Sequence, residues 1–503
     1  MVQSSGWEEA SKRQWLFCVN DNSPMDRLRE KVDTDAIQYA SDGEPVNLGI
    51  RRVNGRIYSG NYVGIFRLRG TDGRNVLSYD GREVIIRIEP RFPVSVADML
   101  NALREDDEFE RYLAPQTTRI SEAEKEIENL KNNELFLFFD KEDPIYVKDN
   151  IALNSSIITA AVFLAMLKEL CRRPLMGRML SQEENMTGKA KGKILFSKNI
   201  RYNTLRGRSD RLYCRYLQYS EDILENRVLK AALQKAALFL NKYFGSASGN
   251  KNSFRDMISY CRTALSHVSD TKITRHDIGK IKTTGCYAYY KPVVNAAKMV
   301  LNEITLGADG KSGLTGYVVP YAVSMDKLFE MYVRAYLKHI GVHSYQEAGA
   351  GLRLLPYDYK SKVLKESGKA YANYIGGNVK PDIILQDTDT GQYIVFDVKY
   401  KNLKNRGYSR SDRLQVLAYA LLYDCENVGI IFPARDGEGS LYYARNEIQS
   451  NDSRPRYYNQ LEIAVDSGWP DKVTSVEDAS CTQLYGYLEG LFSKETLVKS
   501  SFP

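Results

Sequence analysis

Short apolar runs in the last third of the chain alternate with polar turns and predict β-strands. The runs are residues 352–356, 382–386, 393–400 and 427–433. Helical periodicity marks two further segments, 324–340 and 411–424, and each begins with a serine, a residue type that caps helix N-termini. The sequence therefore predicts the element order α-β-β-β-α-β for this part of the chain.

The pattern before residue 320 predicts a small sheet followed by helices. Three short strands are predicted at 62–69, 75–79 and 83–89, because Asp-Gly pairs suited to tight turns separate them. From about residue 95 to 240 the apolar spacing is helical, and 225–244 is a strongly amphipathic example. A second charged segment has helical spacing at Ile120, Ala123, Ile127 and Leu130. The fold class is therefore α/β, mixed α+β overall.

Composition and charge restrict the classes of function. The 503 residues carry a net charge of +7, and 43% of them are hydrophobic, which is enough for several cores. The basic residues concentrate in 172–215, where twelve Lys and Arg stand against three acids. Such a stretch is either a solvated surface or a contact for the nucleic-acid backbone. The DNA-binding candidates within it are Arg172, Arg173, Lys189, Lys191 and Lys193.

Other features of the sequence predict a soluble cytoplasmic protein with no membrane association. The seven cysteines are scattered without a CxxC pair, as is typical of reduced intracellular thiols. The N-terminus has no apolar signal segment, and the longest apolar stretch, 157–167, is too short to cross a bilayer. A Gly-Lys-Ser run near Gly310 lacks the phosphate-loop spacing, so we expect no nucleotide site here.

Acidic residues stand at the ends of two predicted core strands. Asp382 opens one strand, and alternation places Asp397 and Lys399 on one face of the next. Two carboxylates held side by side repel unless a cation lies between them, and hard oxygen ligands suit Mg²⁺. We therefore predict a Mg²⁺ site formed by Asp382, Asp397 and the backbone of Val398, with Lys399 orienting or deprotonating a water. The alternative is an edge strand with a solvated salt bridge.

Three helical residues are candidate supports for this site. Glu330 lies on an apolar stripe with Val333 and Leu337, where an acid needs a buried partner unless its side chain reaches solvent. Gln415 and Tyr419 are separated by one helical turn. Gln415 is predicted to hydrogen-bond Lys399 or a DNA phosphate, and Tyr419 to contact DNA. The alternative for Gln415 is an ordinary polar helix position.

Several runs together resemble the McrC family, the nuclease subunits of GTP-dependent, modification-sensing restriction systems. The strongest are MDKLFEMYV, KPDIIL, FDVKYK, DRLQVLAYA and GIIFP, in that order, and weaker matches extend the resemblance across most of 60–435. It implies a PD-(D/E)XK restriction-endonuclease-like domain in which Asp382, Asp397 and Lys399 are catalytic. Glu330 and Gln415 would be supporting residues.

The resemblance also implies a partner, an McrB-like AAA+ GTPase ring that the N-terminal part of McrC proteins engages and stimulates. An arginine offered in trans can stabilise charge on a transferring phosphoryl group. The partner-binding candidates in the N-terminal hairpins, taken to be exposed, are Arg67, Arg69, Arg74 and Arg82.

The predicted function is a Mg²⁺-dependent DNA endonuclease subunit of an McrBC-like defence system. One alternative is a regulatory subunit that chiefly activates the GTPase, and another is a stand-alone RecB-type repair nuclease. The predicted regions are an N-terminal β-rich partner-binding region, a mostly helical middle, a nuclease domain and a C-terminal extension: 1–115, 116–320, 321–440 and 441–503.

Overall fold

The computed structural model describes most of the chain in segments. They are residues 12–40, 46–92, 96–103, 135–138, 145–147, 151–244, 253–281, 285–303, 316–318, 320–344, 349–355, 381–401, 410–434, 442–448, 455–463 and 479–492. The helical spacing predicted around residues 120–130 and the Gly-Lys-Ser run lie outside these residues. No helix among these segments has the length and apolarity that crossing a bilayer requires.

The described strands are spread over the whole chain. They are β1 (Gln14–Asn20), β2 (Arg51–Val53), β3 (Arg56–Tyr58), β4 (Tyr62–Arg67), β5 (Glu83–Glu89), β6 (Phe136–Phe138), β7 (Ile145–Val147), β8 (Arg178–Thr187), β9 (Lys193–Ile194), β10 (Arg211–Ser220), β11 (Gly316–Val318), β12 (Tyr321–Ser324), β13 (His343–Ser344), β14 (Leu352–Leu354), β15 (Ile383–Asp387), β16 (Tyr393–Val398), β17 (Asn427–Pro433), β18 (Tyr442–Ile448) and β19 (Arg456–Ile463).

The described α-helices concentrate between residues 150 and 340. They are α1 (Val96–Leu103), α2 (Ile151–Cys171), α3 (Phe196–Tyr202), α4 (Leu224–Phe244), α5 (Ser253–Ala264), α6 (Arg275–Gly279), α7 (Lys291–Glu303), α8 (Met325–His339), α9 (Arg410–Leu422) and α10 (Ala479–Gly490). The mixed α+β class predicted from the sequence is confirmed.

The chain divides into two compact units. The first comprises Met1–Tyr146, Ala247–Lys251 and Val319–Pro503, and the second Val147–Ser246 and Asn252–Val318. The four regions predicted from the sequence remain a prediction.

The N-terminal sheet of the first unit has the strand order β1-β5-β4-β12-β6. β1 runs parallel to β5, β4 is antiparallel to β5, and β12 is antiparallel to β4. Its core includes Met25, Phe66 and Ile86 together with Ala322 from β12. A strand from far along the chain therefore completes this sheet and leads directly into α8.

The predicted strand at 75–79 is wrong, although both Asp-Gly turns are present. Gly73 and Gly81 have φ values of +75° and +79°, which glycine adopts without strain. Between these turns the chain forms only isolated bridges, Arg69 with Asn75 and Leu77 with Glu83. Val76 hydrogen-bonds through its N–H to the Leu68 carbonyl and through its carbonyl to the Val84 N–H, but these contacts do not extend into a continuous ladder.

The C-terminal sheet of the first unit has the order β13-β14-β15-β16-β17-β19-β18. Its elements α8, β14, β15, β16, α9 and β17 follow the predicted order, with the two-residue β13 added after α8. Helix α9 contributes Val416 and Ala420 to a core that also contains Val395 and Ile430. The sheet continues past residue 440, because β19 runs parallel to β17 and β18 is antiparallel to β19.

The second unit contains the helices α2, α4, α5 and α7, with α2 in contact with each of the other three. Residues 157–167 of α2 form a mostly buried apolar segment, and α4 coincides with the predicted helix 225–244. The helical pattern predicted from about residue 95 to 240 is wrong at β6 and β7 and at β8, β9 and β10, the last three of which form one sheet. Most side chains of β8 and β10 are exposed or half-buried. These strands therefore lack the alternating apolar face that would indicate them.

Gly429 in the middle of β17 leaves room for a neighbouring aromatic ring. A Cβ added there would lie 2.3 Å from the Asn459 carbonyl oxygen and 2.8 Å from the Phe396 ring. We expect Gly429→Ala to lower the free energy of unfolding by about 1–3 kcal/mol, because the packed strands cannot move apart without strain. Urea denaturation measures this. Gly486→Ala in α10 is the control, since its added Cβ meets nothing within 4 Å, and equal stability of the two variants would contradict the prediction.

Candidate active site

Strand pairing brings the two predicted acids together. In the antiparallel pair of β15 and β16, Ile383 lies opposite Phe396, so Asp382 and Asp397 occupy the same end. An oxygen of the Asp382 carboxylate accepts a hydrogen bond from the backbone N–H of Val398 at 2.8 Å. Asp397 is only 1% exposed. The predicted proximity of the two carboxyl groups is confirmed.

The electrostatics of the pair follow from burial and like charge. The pKa of Asp397 is raised to about 7, because burial and then the nearby charge of Asp382 raise it more than Lys399 lowers it. The Lys399 Nζ lies 2.6 Å from Asp397 Oδ2. Burial would lower the pKa of Lys399, but the Asp397 carboxylate outweighs that effect and the net shift is upward. A cation near these groups would relieve the repulsion between the two acids.

The two acidic side chains are oxygen ligands of the kind that suits a hard cation such as Mg²⁺. Among the described residues, no group of three or more His, Cys, Asp and Glu side chains is arranged to hold a metal. Two carboxylates, with waters completing the coordination, are the kind of ligand set that Mg²⁺ accepts. Asp382 and Asp397 would hold it, and coordination by the Val398 backbone stays a prediction.

The predicted supporting residues have different surroundings. Glu330 is half-buried with its Oε1 shielded from solvent, and its stripe partners Val333 and Leu337 are buried as predicted. Gln415 is exposed, and its Nε2 donates to the Tyr419 hydroxyl at 2.8 Å. The catalytic roles of Glu330 and Gln415 stay predictions.

Tyr419 is not a surface residue. It is 1% exposed and belongs to the core between α9 and the sheet, so a direct DNA contact through its side chain is wrong for this structure. Burial raises its pKa, and the charge of Asp397 adds to that rise. Tyr419 therefore lies near the acidic pair and holds Gln415 rather than DNA.

Arg334 of α8 is a site residue that the sequence pattern did not reveal. Its guanidinium group is buried, donating from Nη1 to the Asp382 carbonyl at 3.3 Å and from Nη2 to the Leu355 carbonyl at 3.0 Å. These bonds fix the start of β15, where Asp382 lies. An arginine within the apolar run of α8 was the signal that could have indicated it.

Lys401 is a second contact that the sequence pattern did not reveal. Its Nζ lies 3.1 Å from Asp412 Oδ1, and Asp412 is buried in the first turn of α9. This ion pair connects the segment after β16 to the helix that carries Gln415.

The five DNA-binding residues predicted in the basic stretch 172–215 lie in the second unit and are exposed. Arg172 pairs with Glu169, and Arg173 lies over the ring of Tyr289. The three lysines of the set lie on the β8–β9 connection and β9, and Lys191 lies 4.0 Å from the Tyr216 ring centroid. Lys189, Lys191 and Lys193 follow one another at every second position and are all exposed. Their contact with DNA stays a prediction.

The predicted partner-binding arginines differ in exposure. Arg67 is only 5% exposed and lies 3.3 Å from Glu83, so its assignment as an exposed residue is wrong. Arg69 and Arg82 are half-buried, Arg82 forms an ion pair with Asp80, and Arg74 is exposed. Partner binding by these last three arginines stays a prediction.

The solved structures that match this chain include two from Thermococcus gammatolerans. A chain from McrB AAA+ hexamers with bound McrC is 15% identical, covers 95% of this chain and 100% of its own, and has a TM-score of 0.36. A chain of the McrBC complex is 14% identical, covers 67% and 92%, and has a TM-score of 0.27. At these TM-scores neither match supports an argument about the fold. A search of curated proteins returned no match.

A match to a family model identifies the family of this chain. The model described as McrBC 5-methylcytosine restriction system component matches residues 108–433, more than half of the chain. The matched range includes α8, both acidic strand ends, Lys399 and α9. This protein belongs to the McrBC family of restriction system components.

Proposed function

We propose that this protein is a Mg²⁺-dependent DNA endonuclease subunit of an McrBC-type restriction system. The observation that carries the proposal is the pairing of Asp382 with buried Asp397, beside the ammonium group of Lys399. Burying one carboxylate next to another is costly unless a cation compensates, so a purely structural reason for this arrangement is weak. The element order α8-β14-β15-β16-α9-β17 supports a PD-(D/E)XK architecture around these residues.

The residues of the site have distinct tasks in phosphodiester hydrolysis. Asp382 and Asp397 would hold the Mg²⁺ ion, which supplies positive charge to offset the charge developing on the phosphate. The Val398 N–H fixes the Asp382 carboxylate at 2.8 Å. Lys399 lies on the Asp397 side and can orient a water or a phosphate oxygen through its N–H groups. Gln415, held by Tyr419, would bind a phosphate or the lysine.

An AAA+ GTPase ring of the McrB type is the partner we propose. Membership of the McrBC family supports this. Arg69, Arg74 and Arg82 are the residues we propose to contact the ring and stimulate GTP hydrolysis. Such a system would act on DNA in the cytoplasm.

Cleavage of DNA by the purified protein tests the proposal. The full chain is mixed with an McrB-type GTPase, GTP and methylated plasmid, with Mg²⁺ or with EDTA. Cutting that requires Mg²⁺ and the GTPase is expected. Stimulated GTP hydrolysis without cutting would instead support the regulatory alternative, and cutting that needs no GTPase would support a stand-alone nuclease.

Neutralising the lysines of the second unit should reduce the salt dependence of DNA binding. We expect the triple change of Lys189, Lys191 and Lys193 to glutamine to lower the slope of log K against log salt by up to about 3, because each lost phosphate contact removes about 0.9. Fluorescence anisotropy over a salt series measures the slope. The control neutralises three other exposed residues of this unit, Arg262, Lys272 and Lys280. Identical slopes for both triple variants would show that the lysines only face solvent.

A further inference from the structure

A buried ion pair lies where β1 and β5 of the N-terminal sheet end. The two strands are parallel, and the N–H of Asp21, just after β1, donates to the Glu89 carbonyl at 2.8 Å. The Asp21 carboxylate is fully buried. It accepts from the backbone N–H of Arg91 at 2.6 Å and lies 3.1 Å from the Arg91 Nε. The acid therefore holds both the backbone and the side chain of Arg91.

The other end of the Arg91 guanidinium reaches the strand that carries the candidate active site. Its Nη2 donates to the backbone carbonyl of Tyr400 at 2.6 Å, and its carbon lies 4.9 Å from the Tyr400 ring centroid. Phe92 packs edge-on against the same ring at 4.9 Å, and Phe329 of α8 lies 5.9 Å from it. Tyr400 is 1% exposed and directly follows Lys399. Arg91 thus contacts the residue next to the candidate catalytic lysine.

Hydrogen bonds on both sides fix the backbone around Lys399. The N–H of Lys399 donates to the Ile431 carbonyl at 2.8 Å, which extends the pairing of β16 with β17 by one residue. Beyond this point the Tyr400 carbonyl is bound by Arg91. Nothing in a sheet requires this second bond, because β16 ends at Val398. Its effect is to set the direction in which the backbone leaves Lys399.

The chemistry of the contact differs from that of ordinary packing. A buried ion pair carries a desolvation cost that a pair of apolar residues would avoid, so stability alone is a weak reason for it. The planar guanidinium instead offers several donors in a fixed fork, and here it joins one carboxylate and one carbonyl. A second polar bond ties the same regions together, from Asn61 Nδ2 to Asp326 Oδ2 at 3.0 Å at the start of α8.

We propose that Arg91, oriented by Asp21, is a positioning residue that holds the Lys399–Tyr400 backbone in the geometry the candidate active site needs. This inference rests on the proposed nuclease function. It makes the end of the N-terminal sheet part of the catalytic support, and the catalytic groups themselves remain those of the C-terminal sheet.

The test compares Arg91→Met, Arg91→Lys and the control Arg87→Met in the full chain with an McrB-type GTPase. Arg87 lies on β5, four residues before Arg91, and forms an ion pair with Glu89 of the same strand. We expect Arg91→Met to lower kcat for plasmid cleavage about ten- to a hundredfold, because displacement of a reacting group by about 1 Å has effects of this size. KM should change less than about threefold, since the DNA-binding surface is elsewhere on this hypothesis.

Hydrogen–deuterium exchange supplies a readout that does not depend on activity. Peptides covering residues 396–401 should exchange faster in Arg91→Met than in the wild type, while Arg87→Met leaves both exchange and kcat unchanged. Arg91→Lys should recover part of both effects, because an ammonium can still donate to the Tyr400 carbonyl. Asp21→Asn is a further variant. Its side-chain oxygen can still accept from the Arg91 backbone N–H, but the charge that orients the guanidinium is removed.

Three outcomes decide the proposal. A wild-type kcat and wild-type exchange in Arg91→Met would overturn it. It would also be overturned if the activity of Arg91→Met fell only in proportion to the fraction of unfolded protein and Arg91→Lys recovered none of it. If Arg91→Met does not fold, normal kcat and exchange in both Arg91→Lys and Asp21→Asn would overturn it. If the wild type cuts no DNA but exchange at 396–401 still responds to Arg91, the proposed nuclease function fails and the positioning role stands.

Discussion

Asp397→Asn is expected to reduce Mg²⁺-dependent DNA cleavage by at least about a thousandfold. The asparagine keeps the shape of the side chain but removes one of two charges that would hold the ion, and a metal contributes several kcal/mol to such a transition state. The fold should remain intact, because the change removes a buried charge beside Asp382. Lys399 retains the attraction of Asp382 after the change.

Cleavage rates with Mg²⁺ and thermal unfolding curves measure the two effects separately. Asp389→Asn is the matched control, since Asp389 is exposed in the turn between β15 and β16. It should cut DNA at the wild-type rate. Undiminished cleavage by a folded Asp397→Asn protein would refute the assignment of the site.

Arg334→Met should lower the free energy of unfolding by about 2–5 kcal/mol. The change leaves the carbonyls of Asp382 and Leu355 without the donors they have in the structure, and each buried group that loses its partner costs about 1–3 kcal/mol. Because one of these carbonyls belongs to Asp382, cleavage should also fall in the protein that remains folded.

Urea denaturation with kinetics on the same samples checks both expectations. Lys327→Met on the same helix is the control. Lys327 is half-buried, and methionine keeps the apolar part of its side chain without removing a donor from the carbonyls of Asp382 and Leu355. A stability equal to that of the control would mean that water or another group replaces the guanidinium without cost.

The C-terminal half could be predicted from the sequence because two independent signals agree there. Apolar runs indicated the strands, and acids at their ends indicated chemistry that a core does not need. Asp382 and Asp397 meet because the register of β15 and β16 places the ends of both strands together. The helical periodicity of α8 and α9 was equally informative.

Other features depend on contacts between distant residues and leave little trace in the sequence. β8 and β10 are largely exposed, so their ten-residue pairing has no apolar alternation. Arginine is usually a surface residue, but Arg67 is 5% exposed and forms an ion pair with Glu83 of β5. Arg91 and Arg334 bind backbone carbonyls, and the identity of the residue that offers a carbonyl carries no information about its partner.

The position of β12 has a consequence for the order in which this protein can form during its synthesis. β4 and β5 leave the ribosome more than two hundred residues before β12, the strand that covers the remaining edge of β4. Until then the nascent chain presents an unpaired strand edge, which is a site for association with other chains. Shortened versions that end before Tyr321 keep that edge open permanently. Fragments of the N-terminal half should therefore aggregate unless the β12 sequence is supplied with them.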